Sequence, residues 1–301
     1  MSCRATSGMT PRLTTILGPL AAVAIALSSA SGQSGGGAPG SGLANSFSFT
    51  IDSAGSSDFE SFNGDASVTT WAASVSHSFA HGKQGDRVFL GAETKRHDIS
   101  ASAGVPLPDT LESWAITAAY LKPISREWSV FVSTKPGVYH DGSKVSSDAI
   151  NVPISVFARY STQPELAWTF GIMGDFFNQN PVIPVVGVDW RFAPGWRFNV
   201  GFPWVGLGYE LGANWEIRGG VQIQGGGYWV EQRVAPGVRG TIIDYREIRV
   251  AIDLVHQLSP ALELQFSAGA NVDRNFDYFD SNFELKGESA GFFSVSVRGK
   301  F

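Results

Sequence analysis

The chain has almost no cysteine. Cys3 is the only one among 301 residues, so beyond it neither a disulfide nor a thiolate metal site can form. Charge is also sparse, with Asp, Glu, Lys and Arg making up 16% of the sequence. No basic excess exists; the formal net charge is −5, which disfavours nucleic acid as a partner. Past residue 27 no apolar run approaches the roughly 20 residues that a transmembrane helix needs. A helical membrane protein is thereby excluded, whereas a membrane protein built of strands is not. What the chain does have is glycine (35 residues) and aromatic side chains (12%).

The first thirty residues are a separate case. Arg4 and Arg12 precede the apolar run "LTTILGPLAAVAIAL" (13–27), and Ser28 and Ala30 are small residues suited to cleavage after Ala30. This pattern predicts a secretory signal peptide over 1–30. The run of about 15 residues is too short for a membrane anchor. The following "SGQSGGGAPGSG" (31–42) has too little to bury, and residues 31–44 read as a flexible Gly/Ser-rich leader. Residues 45–301 remain, enough for one large all-β domain. Without the signal peptide, 20 basic residues face 27 acidic ones.

From residue 45 onward the hydrophobic period is two, the period of strands. In "NWEIRGGVQIQGGGYWV" (214–230), Trp215, Ile217, Val221, Ile223 and Trp229 share one parity, and Glu216, Arg218, Gln222 and Gln224 the other. In "REIRVAIDLV" (246–255), Ile248, Val250, Ile252 and Leu254 oppose Glu247, Arg249 and Asp253. In "LELQFSAGANVD" (262–273), the apolar residues oppose Glu263, Gln265, Ser267, Asn271 and Asp273. Such strands exceed the five or six residues usual in globular sheets and suit a tilted bilayer crossing.

One short phrase recurs: an aromatic residue, a tight turn, and a second aromatic. It reads "YLKPISREW" at 120–128, "YSTQPELAW" at 160–168, "FAPGW" at 192–196 and "YELGANW" at 209–215. Trp128, Trp168, Trp196 and Trp215 thus each begin a strand just after a turn. Rings at strand ends are what a membrane–water interface selects, because they are amphipathic. The other connections look longer and more polar: 53–66, 99–110, 139–150, 231–241 and 274–289. Short turns on one side and long loops on the other match the asymmetry of outer-membrane barrels. The end of the chain, "FFSVSVRGKF" (292–301), alternates to a terminal Phe301. An amphipathic last strand ending on Phe resembles the sorting signal read by the outer-membrane barrel assembly machinery.

The stretch from about 113 to 301, above all "PVIPVVGVDWRFAPGWRFNVGFPWVGLGYEL" and "IIDYREIRVAIDLVHQLSPALELQFSAGANVDRNFDY", resembles a family of bacterial outer-membrane β-barrels catalogued only as a domain of unknown function. The resemblance implies a fold and a location, and no catalytic residues. The strand count is fourteen, or twelve if the short pair around "GFPWVGLG" folds over the rim. The expected fold is a single antiparallel up-and-down barrel of 12–14 strands, with both ends on the periplasmic side.

With one parity facing lipid, the other lines the lumen. Arg159, Asp189, Arg191, Arg197, Glu210, Glu216, Arg218 and Glu263 fall there, all but Asp189 and Arg218 close to a short turn, and should form a belt of mixed sign at the periplasmic mouth. Such a belt either sets selectivity, as charged rings do in pores, or pairs internally and holds the wall together. His97-Asp98 and His140-Asp141 fall where strands meet outer loops. A rim histidine beside a carboxylate suits water activation, but adjacent strand residues point to opposite faces, and both dipeptides read as solvated loop residues. The acidic residues Asp52, Asp58, Glu60, Asp65, Asp273, Asp277 and Asp280 fall in the outer loops without Ca²⁺-loop spacing. "QGGGYW" (224–229) lacks the strand–helix context of a phosphate loop. No catalytic, cofactor-binding or metal-ligating residue is therefore assigned, and no cofactor.

The reading is a passive pore for ions or small solutes in the bacterial outer membrane, with membrane lipids and the assembly machinery as partners. A closed barrel with a structural or adhesive surface role is the alternative, and a hydrolase at the rim is a third. If Phe301 is the sorting signal, its deletion impairs assembly but not export. Normal heat-modifiability of the truncated chain in the membrane fraction would contradict this.

Overall fold

The computed structural model describes residues 44–60, 62–82, 85–201, 204–231 and 239–301. The expected signal peptide, the leader apart from Ala44, and most of the 231–241 connection lie outside them. The described chain is almost entirely strand. Its segments are β1 (Ala44–Phe59), β2 (Phe62–His81), β3 (Asp86–Ala101), β4 (Thr110–Pro123), β5 (Trp128–Thr134), β6 (Gly137–His140), β7 (Ile150–Asn151), β8 (Ile154–Gln163) and β9 (Leu166–Gly174). There follow β10 (Val182–Ala193), β11 (Trp196–Val200), β12 (Trp204–Glu210), β13 (Trp215–Val230), β14 (Thr241–Ser259), β15 (Leu262–Tyr278), β16 (Phe283–Gly287) and β17 (Ala290–Lys300).

These segments make fourteen staves of one closed antiparallel barrel. Three staves are each broken in two. β5 and β6 both pair with β4, with Pro136 between them, and β7 and β8 are split around Pro153. Proline cannot donate to a ladder, so the two breaks sit side by side, and the Lys135 amide donates to the Pro153 carbonyl at 2.9 Å. β16 and β17 pair with the upper and lower halves of β15. Closure is made by β1, which pairs with β2 on one side and β17 on the other. At that seam the Asn45 amide donates to the Phe301 carbonyl (2.8 Å) and the Phe301 amide to Asn45 (3.0 Å).

The short pair β11–β12 belongs to the wall, paired to β10 and to β13, so the count is fourteen and not twelve. The long outer loops are only partly as expected. Residues 53–66 are mostly strand, closed by a tight hairpin at Phe59↔Phe62. Residues 274–289 continue β15, pass through a 3-10 turn at Phe279–Ser281 and return as β16. Polar composition disguised both as loops, because these strands rise above the bilayer and need no apolar outer face.

The outer surface carries the apolar band. Ile51, Ile116, Val186 and Ile252 are 50–63% exposed, which in water would be an anomaly and in lipid is a requirement. On β14 the outward residues run Leu254, Ile252, Val250 and Ile248, and the next is Arg246. Arg246 pairs with Asp273 (3.5 Å), and Arg96 with Asp98 (2.7 Å); these outward ion pairs mark where the band ends. At the opposite margin, Trp128 packs tilted against Tyr160 (4.6 Å) and Trp196 against Tyr209 (4.7 Å), and Trp215 stacks on His256 (3.9 Å). Trp128, Trp168, Trp196 and Trp215 are each about two-fifths exposed.

Ile252→Arg, on the lipid face near mid-strand, should cost about 2–4 kcal/mol of barrel stability. Asp253 points inward and accepts two hydrogen bonds from Gln222 Nε2 at 3.0 and 3.1 Å, so Asp253→Asn keeps a partner and should cost less. Equal losses in a folding titration into lipid vesicles would contradict the assigned facing.

Candidate functional site: a divided lumen

The staves differ in height. β13, β14, β15 with β16, β1, β2, β3 and β4 extend well above the apolar band. β11 has 5 residues and β12 has 7. Above these short strands the tall sector closes on itself, through a parallel bridge between His140 of β6 and Trp229 of β13. The result is a narrower upper barrel standing on a wider lower one. A barrel of about eight strands has room for side chains and little else, and the upper one is filled accordingly. Phe59, Leu111, Tyr228, Ile243, Tyr245, Phe276 and Tyr278 form a core with Val105 and Leu107, which the 102–109 connection tucks inward. Tyr245 stacks on Phe276 at 4.8 Å, and Tyr278 donates to the Pro106 carbonyl (2.9 Å).

His97 belongs to this core. It is 1% exposed, with Nδ1 2.6 Å from Thr70 Oγ1 and Nε2 3.2 Å from the Tyr228 hydroxyl. His140 and Asp141 are also buried; His140 Nδ1 accepts from the Gly142 amide (3.1 Å) and Asp141 caps Ser143. The expectation of solvated loop residues fails for all three: β3 and β6 carry His97 and His140 inward, and Asp141, in the connection after β6, is buried as well. Both histidines are shielded from bulk water. Among the described residues no group of His, Cys, Asp or Glu is placed to hold a metal ion.

Beneath the aromatic core lies a layer of buried charge. Arg249 forms a fork with Asp52 (2.6 and 2.8 Å) and donates through Nε to Glu247 (2.7 Å). Glu247 also accepts from Arg274 Nε (2.6 Å), whose Nη1 reaches the Ala66 carbonyl (2.8 Å). The Arg249 guanidinium lies 4.3 Å from the Phe292 ring centre. All four charged groups are at most 2% exposed. Lys95 spans the lumen to the Gly225 carbonyl on β13 (3.2 Å), and Glu93 pairs with Lys135 (2.9 Å). One lysine side chain thus bridges β3 and β13 across the interior.

Asp52 is an interior residue of β1 and not part of an outer loop: it keeps the inward parity of Ser48 and Thr50, because β1 continues past Ile51 to Phe59. Arg274 escapes a parity reading, being inside where strict alternation puts Asp273, and the cause is a β-bulge at Val272. A bulge adds one residue and reverses which parity faces inward. Asp58, Asp65 and Asp277, also expected in loops, lie in β1, β2 and β15.

Several residues of the expected belt meet as ion pairs. Arg197 Nε donates to Asp189 (3.0 Å), Arg218 makes a bidentate pair with Glu216 (2.9 and 2.8 Å), and Arg298 pairs with Glu263 (3.0 Å). Arg191 and Arg197 both lie within electrostatic reach of Glu216. Arg159 and Glu210 are exposed at the rim. Sequence reasoning did not pair Arg298 with Glu263; the partners meet only because β17 lies beside β15.

The family called Domain of unknown function (DUF6268) matches residues 92–294. The chain belongs to this family. No curated protein matches the sequence. Among solved structures, this DUF6268 barrel is similar to an outer membrane channel from Pseudomonas putida F1 (9% identity, 88% of this chain and 97% of that one, TM-score 0.49). It is also similar to a Pseudomonas aeruginosa FadL homologue (10%, 85% and 89%, 0.44) and to the KdgM porin (10%, 85% and 99%, 0.39).

The buried layer yields a stability prediction for the DUF6268 barrel. Arg249→Ala leaves Asp52 and Glu247 without their shared cation. Removing one partner of a buried ion pair costs about 3–5 kcal/mol. Urea unfolding in detergent should show such a loss, and one no larger than for Arg298→Ala at the half-exposed mouth would contradict it.

Proposed function

We propose that this chain is a passive channel for ions or small solutes in the bacterial outer membrane, inserted there by the barrel assembly machinery and bounded by membrane lipid. The observation that supports it is the lower lumen. Its wall carries half-buried ion pairs of both signs, and interior residues such as Thr169, Gln222 and Gln224 keep partial accessibility above them. A lumen meant only to be packed would be filled with apolar side chains, as the upper half is. The belt acts on permeating ions because a narrow lumen holds few mobile charges to screen it.

A second reading, a closed barrel with a structural or surface role, draws on a different observation: the aromatic core that fills the upper barrel. On the channel reading, solute entering the lower mouth cannot continue along the axis and must turn toward the low wall of β8–β12.

Replacing Arg191 and Arg197 together by Gln leaves Asp189 and Glu216 with fewer cations near them. Single-channel recordings in planar bilayers should then show selectivity moved toward cations, with folding retained because both residues face the lumen. No conductance in the parent protein would remove the ion channel and favour the closed barrel. Conductance indifferent to the pair would place the constriction at the Lys95 layer.

A further inference from the structure

We propose that the lumen opens sideways into the bilayer, through a gap in the wall between β10 and β13, and that small uncharged apolar solutes pass by this route. The inference rests on the channel reading and names its cargo.

Among the described residues, the gap follows from the ladders. β10 pairs with β11 only from Val188 to Ala193, and β13 pairs with β12 only from Trp204↔Gln222 downward. Above those points β10 keeps β9 on one side, over 182–187, and β13 keeps β14 over 223–230. At the level of the β11–β12 pair, β10 and β13 stand three strand spacings apart, on the order of 14 Å. Among the described residues one segment links them higher up, the 175–181 connection. There the Phe177 carbonyl packs so closely on Gly227 that a Cβ at that position would lie 1.9 Å from it. Asp175 fixes this arch by accepting from Asn151 Nδ2 (2.7 Å) and from the Phe177 amide (2.9 Å).

The gap lies within the lipid band. Val186, 61% exposed, and Val182, 63% exposed, flank it on β10, and Ile223 flanks it on β13. Open strand edges facing lipid are costly; non-helical backbone at membrane depth is tolerated where it lines a cavity. These edges are accommodated by a lumen directly behind them. Below the arch, Gly225 and Gly226 on the β13 margin carry no side chain of their own, and the Lys95 ammonium reaches the Gly225 carbonyl at 3.2 Å.

The lining selects the cargo. Next to the gap the interior wall is apolar: Phe131, Phe157, Met173, Ile183 and Val185 form one cluster on β5, β8, β9 and β10. The ionic layer of Asp52, Arg249, Glu247 and Arg274 lies on the β13 side, where Glu247 and Arg249 of β14 stand beside Gln224 and Gln222. An apolar solute therefore has an apolar surface from the lumen to lipid along the β10 margin, whereas the β13 margin is polar. The axial alternative is filled by the aromatic core.

The test uses the absence of cysteine after Cys3. Gln224→Cys and Ile183→Cys, on the two margins, each carry a bimane label in the protein reconstituted into vesicles whose acyl chains bear bromine. Val221→Cys reports lipid contact, and Thr117→Cys reports a lumen position away from the gap. Heat-modifiability confirms that each variant is folded. Quenching at Gln224 and Ile183 should approach that at Val221 and exceed severalfold that at Thr117. Folded variants quenched no more than Thr117 would overturn the side opening. Cells with the assembled barrel should take up N-phenyl-1-naphthylamine severalfold faster than cells without it, and equal uptake would overturn the apolar cargo. Conductance without quenching keeps the channel and removes the gap. Quenching with uptake but no conductance removes the ion path and keeps the apolar one.

Discussion

Inside a bilayer no water is present to satisfy a backbone amide or carbonyl, so a sheet that crosses it must close. The rest of this structure depends on that constraint. β1 pairs over most of its length with both β2 and β17, and with that seam made, one face of every strand turns to lipid and the other inward. Outward chemistry then follows from depth: aromatic residues at the lower margin, aliphatic residues along the middle, and ion pairs such as Arg96–Asp98 where the band ends.

The inner face obeys a different rule, because the barrel changes width. Where all fourteen staves are present the interior tolerates half-solvated charge. Where only the tall sector continues, space is left for packed side chains, and aromatic residues fill it. Between the two, charge must be buried, which is stable only when every carboxylate and guanidinium finds a partner. Asp52, Glu247, Arg249 and Arg274 meet that condition together. The break at Pro136 and the shortness of β11 and β12 set where the width changes, so local sequence features shape the whole lumen.

Much of this was legible in the sequence. The period of two, the start of a strand near each of Trp128, Trp168, Trp196 and Trp215, and the inward parity of Glu247, Arg249 and Asp253 are properties of single strands, and a single strand displays them. Two kinds of feature were hidden. The bulge at Val272 reverses parity without a marker in composition, which concealed Arg274. Contacts across the lumen, such as Lys95 to Gly225 or His97 to Tyr228, join residues more than a hundred positions apart and depend on closure. The polar stretches 53–66 and 274–289 looked like loops because strands above a membrane no longer carry an apolar face.

The central claim is that closed strands face lipid on one side and an enclosed lumen on the other. Spin labels placed singly along β14, from Arg246 to His256, test it most directly in lipid vesicles. The structure predicts collision with oxygen alternating residue by residue, high at Ile248, Val250, Ile252 and Leu254 and low at Glu247, Arg249, Ala251 and Asp253. Uniform values, or the opposite alternation, would contradict it.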